Sequence, residues 1–85
     1  MYEVHLKPQA VKDLRRLPQQ EARRSIADAL EMLEEGLSGD VKKPTDFTPE
    51  YRLRVGSYRV LFAVEKQSYV VVYRILHRRK AYRKR

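Results

Sequence analysis

The chain has 85 residues, no cysteine and a formal net charge of +8. That length allows one modest core, burying roughly 60% of the unfolded surface, and the missing cysteines exclude a disulfide frame or a thiolate metal site. His5 and His77 are the two imidazoles and show no metal-ligand spacing, so neither a metal nor another cofactor is expected. No apolar run approaches the roughly 18 residues of a membrane helix. The start, Met1-Tyr2-Glu3-Val4-His5-Leu6-Lys7, lacks the apolar core of a signal peptide, so a cytoplasmic protein with no membrane partner is expected.

The charge is unevenly placed. Residues 1–50 carry 8 Lys/Arg against 10 Asp/Glu, a net of −2, and residues 51–85 carry 11 against Glu65 alone, a net of +10. A basic half on a small domain is the electrostatic footprint of a polyanion binder.

In chain order, Tyr2 to Leu6 alternates and predicts a short strand. Pro8 suits the first turn of a helix, where its missing N–H is not needed. Ala10, Val11, Leu14 and Leu17 recur at helical spacing, and Pro18 closes this helix and opens a second. Ala22, Ile26, Ala29, Leu30, Leu33 and Leu37 make one apolar stripe, with Gly36 or Gly39 as the stop. Residues 38–50 read as a loop that Phe47 could pin to the body. Three strands follow, in Tyr51–Val55, Tyr58–Val64 and Tyr69–Leu76. The fold class is therefore α+β in one domain over residues 1–85. An N-terminal strand and a two-helix hairpin precede a three-stranded antiparallel meander and a short basic tail, with the helices packed on one face of the sheet.

Gly56-Ser57 reads as a type II′ hairpin loop, which pairs Val55 with Tyr58, Arg54 with Arg59 and Leu53 with Val60. An even loop around Lys66-Gln67 would pair Val64 with Tyr69 and Arg59 with Arg74. By that parity Leu53, Val55, Val60, Phe62, Val64, Val71, Tyr73 and Ile75 face the helices. The other face bears Arg52, Arg54, Arg59 and Arg74 beside Leu61, Val70, Val72 and Leu76, with no carboxylate in the strands to neutralise them. Like charges directly opposite destabilise a sheet, so removing Arg59 is expected to stabilise the fold slightly. Such crowding points to an anion site, because guanidinium forks match phosphate oxygens. The tail, His77-Arg78-Arg79-Lys80-Ala81-Tyr82-Arg83, sets one aromatic among cations, a pattern suited to stacking on a base with phosphates around it.

Tyr51-Arg52-Leu53-Arg54-Val55-Gly56-Ser57-Tyr58-Arg59-Val60-Leu61-Phe62, followed by Val70-Val71-Val72-Tyr73-Arg74-Ile75-Leu76-His77-Arg78-Arg79-Lys80-Ala81-Tyr82, resembles the RelE family of toxins, part of the RelE/ParE toxin–antitoxin superfamily. The resemblance implies an endoribonuclease that cuts mRNA in the ribosomal A site without metal and so inhibits translation. The 2′-hydroxyl attacks the adjacent phosphate, giving a 2′,3′-cyclic phosphate and a 5′-hydroxyl. Implied partners are a RelB-like antitoxin, the ribosome and its mRNA, and operator DNA through the toxin–antitoxin complex alone. The antitoxin should be acidic where it meets residues 51–85 and cover Leu61, Val70 and Val72.

Carried over residue by residue, Arg52 and Arg54 hold the substrate backbone, Arg59 stabilises the phosphorane, and Arg78 stands near the leaving 5′-oxygen, with Arg79 one place away. Tyr82 orients or deprotonates the 2′-hydroxyl. Arg74, Arg79, Lys80 and Arg83 complete the expected RNA and ribosome contacts. Some relatives use a histidine and a carboxylate as acid and base; His77 is placed toward the helices by strand parity, and Glu50 is the nearest carboxylate. Two alternatives stay open: a ParE-like relative that inhibits DNA gyrase by binding, and a basic nucleic-acid-binding module without catalysis.

Overall fold

The computed structural model describes residues 1–37, 39–46 and 50–81. It runs β1 (Glu3–Leu6), α1 (Pro8–Arg15), α2 (Gln20–Leu33), β2 (Val41–Lys42), β3 (Tyr51–Val55), β4 (Tyr58–Glu65), β5 (Tyr69–His77) and α3 (Arg78–Ala81). Phe47, Tyr82 and Arg83, named above, lie outside the described residues. The strands form one sheet in the order β1-β5-β4-β3-β2. β1 runs parallel to β5, and the other neighbours are antiparallel. The α+β class, the helical hairpin and the meander stand as expected.

Local chemistry sets the element ends. Lys7 is extended (ψ 156°), as a residue before proline must be, and Pro8 opens α1. Pro18 falls in the link between the helices, and α2 starts two residues later at Gln20. α2 ends at Leu33 with Glu34 still in helical geometry, before either glycine expected to stop it. Its stripe buries Ile26, Leu30 and Leu33 against Leu53, Val60, Phe62, Val70, Val72 and Ile75 of the sheet. Phe62 is fully buried and stacks on its cross-strand neighbour Tyr51, ring centroids 5.1 Å apart. Burying a side chain of that size contributes roughly 1.5–3 kcal/mol.

The link between β4 and β5 differs from the expected even loop. Lys66 and Gln67 both take positive φ (53° and 65°), and the Ser68 N–H returns to the Glu65 carbonyl at 3.1 Å. The register is Glu65 with Tyr69, Val64 with Val70 and Ala63 with Val71. Further on, Phe62 pairs with Val72 but Leu61 pairs with Arg74, so Tyr73 is an extra residue in β5. Such a bulge reverses the side-chain alternation beyond it. Val70 and Val72 are thus fully buried in the core rather than on the arginine face, whereas Val71 lies on that face and Tyr73 is exposed. Ile75 returns to the core opposite Val60, and Arg59 pairs with Leu76 instead of Arg74. Core burial of Val70 and Val72 also removes them from any surface a partner can cover.

β1 ends at Leu6, opposite Val72, and leaves the rest of that edge of β5 open. Asp13 of α1 fills the gap. Its Oδ2 accepts the Ile75 N–H at 2.9 Å and the Arg74 Nε–H at 2.8 Å, while Arg74 Nη2 donates to Oδ1 at 3.3 Å. Burial alone would raise the Asp13 pKa. The hydrogen bonds from Arg74, Ile75 and Gln9, with the Arg74 charge, outweigh it and hold the carboxyl below its ordinary value. Asp13→Asn should lower stability at neutral pH by about 1–2 kcal/mol, read from urea midpoints. Because folding lowers this pKa, the contribution is complete above the unfolded value of about 3.9 and is lost as pH falls through the folded value. The two midpoints should therefore converge in acid, and equal midpoints at pH 7 would dismiss the latch.

Candidate nucleic-acid interface

The β3–β4 turn anchors one candidate cation, Arg59, and the start of α3. Gly56 takes φ +59° and Ser57 does not enter the positive region, which fits a type II′ turn. The register is Val55 with Tyr58, Arg54 with Arg59 and Leu53 with Val60, as expected. Arg59 is only 5% exposed. Its Nη1 folds back on the turn, donating to the Gly56 carbonyl at 3.0 Å and the Tyr58 carbonyl at 2.8 Å. β5 ends at His77, opposite Tyr58, and the Arg78 N–H then donates to the Ser57 carbonyl at 2.7 Å. The Arg59 side chain and the backbone N–H of the first residue of α3 thus both bond to this turn, beside the Arg54–Arg59 pair.

The tail begins as a helical turn. α3 exposes Arg78, Arg79 and Lys80 and buries Ala81. The candidates Tyr82 and Arg83 lie outside the described residues.

The expected uncompensated arginines are not found. Their partners come from outside the strands, where strand patterning carries no sign of them. Arg54 Nε meets Asp40 Oδ2 at 2.6 Å, and the Arg54 N–H donates to the Asp40 carbonyl at 3.0 Å. Arg52, 6% exposed, donates from Nε and Nη2 to Glu50 Oε2, both at 3.2 Å. Arg74 shares the parity of Arg59, but its guanidinium turns to the sheet edge and Asp13. That hydrogen bond, more than the Asp13 charge, raises the Arg74 pKa further. Glu50 is therefore a buried arginine's counter-ion, and Asp13 is that of Arg74, whose own side chain stays 43% exposed.

These pairs differ in strength. Arg54 and Asp40 are 62% and 58% exposed at the side chain; a surface pair of this kind contributes about 0–1 kcal/mol and exchanges readily for another anion. Arg52 and Glu50 are 8% and 19% exposed, and opening a desolvated pair strands a charge. Of the sheet arginines, Arg54 is the one whose acid a phosphate can displace at little cost. Leu61 and Val71, both 9% exposed, complete this face.

Asp13 was missed by sequence reasoning although it is the only acid in α1, a helix otherwise flanked by Lys12, Arg15 and Arg16. Among the described residues, no three His, Asp or Glu side chains gather to hold a metal ion.

The family model for the ParE toxin of type II toxin-antitoxin systems, parDE, matches residues 4–82. Among solved structures, the chain is similar to one in the RelB–RelE antitoxin–toxin complex of Methanococcus jannaschii. The two are 29% identical with a TM-score of 0.74, covering 92% of this chain and 94% of that one. It shares its fold with a chain of the RelBE2 toxin–antitoxin complex of Mycobacterium tuberculosis, at 24% identity and TM-score 0.73 over 89% and 90% of the two chains. It also shares it with one of the Escherichia coli RelBE complex, at 18% identity and TM-score 0.62 over 91% and 96%. No curated protein matches.

Of the two cross-strand arginines, Arg59 should respond oppositely to what like charge alone suggests, and Arg54 hardly at all. Arg59→Ala removes a buried donor from two turn carbonyls and should destabilise by about 1–3 kcal/mol, where crowding alone would have it stabilise. Arg54→Ala should change stability by less than about 1 kcal/mol. Thermal or urea unfolding of both variants decides this, and a more stable Arg59→Ala chain would contradict it.

Proposed function

This chain belongs to the ParE toxin family of type II toxin–antitoxin systems, within the RelE/ParE superfamily, and we propose that it arrests growth by cutting mRNA on the ribosome. The observation that carries this reading is the cross-strand opposition of Arg54 and Arg59 beside the Gly56–Ser57 turn, onto which the Arg59 guanidinium folds and to which the Arg78 backbone N–H ties the start of α3.

In this reading a phosphate of the message displaces Asp40 from Arg54 and sits beside the turn. The ribose 2′-oxygen attacks phosphorus, the bond to the 5′-oxygen breaks, and a 2′,3′-cyclic phosphate and a 5′-hydroxyl result. Arg59 faces the charge that grows on the phosphorane. Its bonds to the turn carbonyls hold the guanidinium in place beforehand, so little reorganisation is needed as charge develops. Arg78, on the exposed turn of α3, neutralises the charge on the leaving 5′-oxygen, which takes its proton from water, and Tyr82 as its phenolate accepts the 2′ proton. Arg52, Arg79, Lys80 and Arg83 add backbone contacts to message and ribosome. Arg74, held by Asp13, contributes field rather than contact.

Guanidinium groups transfer protons poorly, with pKa above about 12. The site is therefore stronger in charge stabilisation than in acid–base work. Positioning by the ribosome can supply about 7–11 kcal/mol of the barrier, which fits an enzyme that depends on it. The partner is a cognate antitoxin, as the neighbouring structures are toxin–antitoxin complexes. It would be acidic where it meets the turn and α3, with operator DNA reached only through the complex.

The family description, ParE toxin, favours a second reading in which the same fold binds and inhibits DNA gyrase. Primer extension on translated mRNA after brief induction separates the two. The first reading expects breaks in A-site codons, abolished to about 1% by Arg59→Ala, and little cutting of free RNA. Gyrase-linked DNA breaks without mRNA breaks would establish the second, and efficient cutting of naked RNA would refute dependence on the ribosome.

A further inference from the structure

His77 stands at the junction of β5 and α3, one residue before the first helical position. The Arg79 N–H donates to His77 Nδ1 at 3.2 Å. An N-cap side chain accepts from the second or third helical N–H, and Arg79 is the second. A backbone N–H can only donate, so Nδ1 is an acceptor, and the neutral ring carries its proton on Nε2. The ring is fixed from one side by Tyr58, edge-on with centroids 5.5 Å apart, and Tyr58 is its cross-strand partner. The next residue, Arg78, donates its own N–H to Ser57. The first two amides of α3, which no helix can satisfy internally, are thus both taken up here: one by the turn and one by the imidazole.

We infer that His77 is a positioning residue: by capping α3 through Nδ1 it holds Arg78 and Arg79 against the turn that carries Arg59. This deepens the RNA-cleavage reading and rests on it for its functional half. It differs from an acid–base role for the same ring. A capping acceptor can be supplied by another side chain, whereas a proton carrier cannot. Asn is among the best N-caps and is not a titrating group.

The experiment compares the wild-type chain, His77→Ala and His77→Asn. Amide hydrogen exchange at Arg79 is measured relative to Val60 and Phe62 in the core, so that a general loosening cancels. Cleavage of mRNA is followed on translating ribosomes in a reconstituted system. His77→Ala should exchange at Arg79 about fivefold faster, the ratio that loss of a cap typically carries, and should cleave several-fold less. His77→Asn should recover both. Unchanged Arg79 exchange in His77→Ala would overturn the cap. Protection restored by Asn without cleavage would overturn the positioning role and assign the chemistry to the ring. A wild-type chain that makes no A-site breaks fails the RNA reading itself, and the exchange ratios still decide whether His77 holds α3.

Discussion

The extra residue at Tyr73 governs how this molecule is put together. β5 lies between β1 and β4, and both ends of it must bury side chains against the helices. Strict alternation would send Val70 and Val72 to one face and Ile75 to the other. One inserted residue brings all three to the same side. The bulge also falls where β1 has stopped, so the strand changes neighbours and parity together, from a parallel partner to the carboxylate of Asp13. From there β5 runs on to His77, opposite Tyr58, and delivers α3 to the β3–β4 turn. The candidate interface thus inherits its geometry from a local irregularity in the strand that builds the core.

Charge is handled by the same economy of placement. The carboxylates paired with sheet arginines among the described residues come from segments flanking the strands: Asp40 just before β2, Glu50 just before β3 and Asp13 from α1. Depth then separates structural cations from exchangeable ones. Arg52 and Arg74 have partners that are largely withdrawn from water, at 19% and 9% side-chain exposure, and Arg54 has one that is open to it. The close opposition of Arg54 and Arg59 is tolerated because Asp40 answers one and backbone carbonyls receive the other.

Features written in adjacent residues were legible from sequence. Gly56-Ser57 determines its own turn, and the register of three residue pairs follows from it. The stripe through Ile26, Leu30 and Leu33 identifies the buried side of α2, because helical period and burial agree there. What escaped depends on partners far away along the chain. Asp13 and Arg74 are 61 residues apart, and no spacing rule links them. The bulge is silent in a run such as Val70-Val71-Val72-Tyr73, where every residue is apolar or aromatic and either parity looks equally good. Lys66 and Gln67 adopt left-handed backbone without a glycine to announce it, which made the loop length easy to misjudge. The two-residue β2 is too short to leave any pattern.

That shortest strand has its own bearing on how the protein keeps company. It matches only Leu53 and Arg52 on the outer margin of β3, through Val41 and Lys42, and Lys43 follows it into solvent. A stub of this size offers too few free amides and carbonyls to template another copy, and cationic side chains along a margin discourage stacking of like chains. Fibre growth from this side is disfavoured by both geometry and charge. The charge obstacle is specific to like chains, whereas the shortness of β2 limits any added strand, so this margin favours contacts made by side chains over contacts made by strand addition.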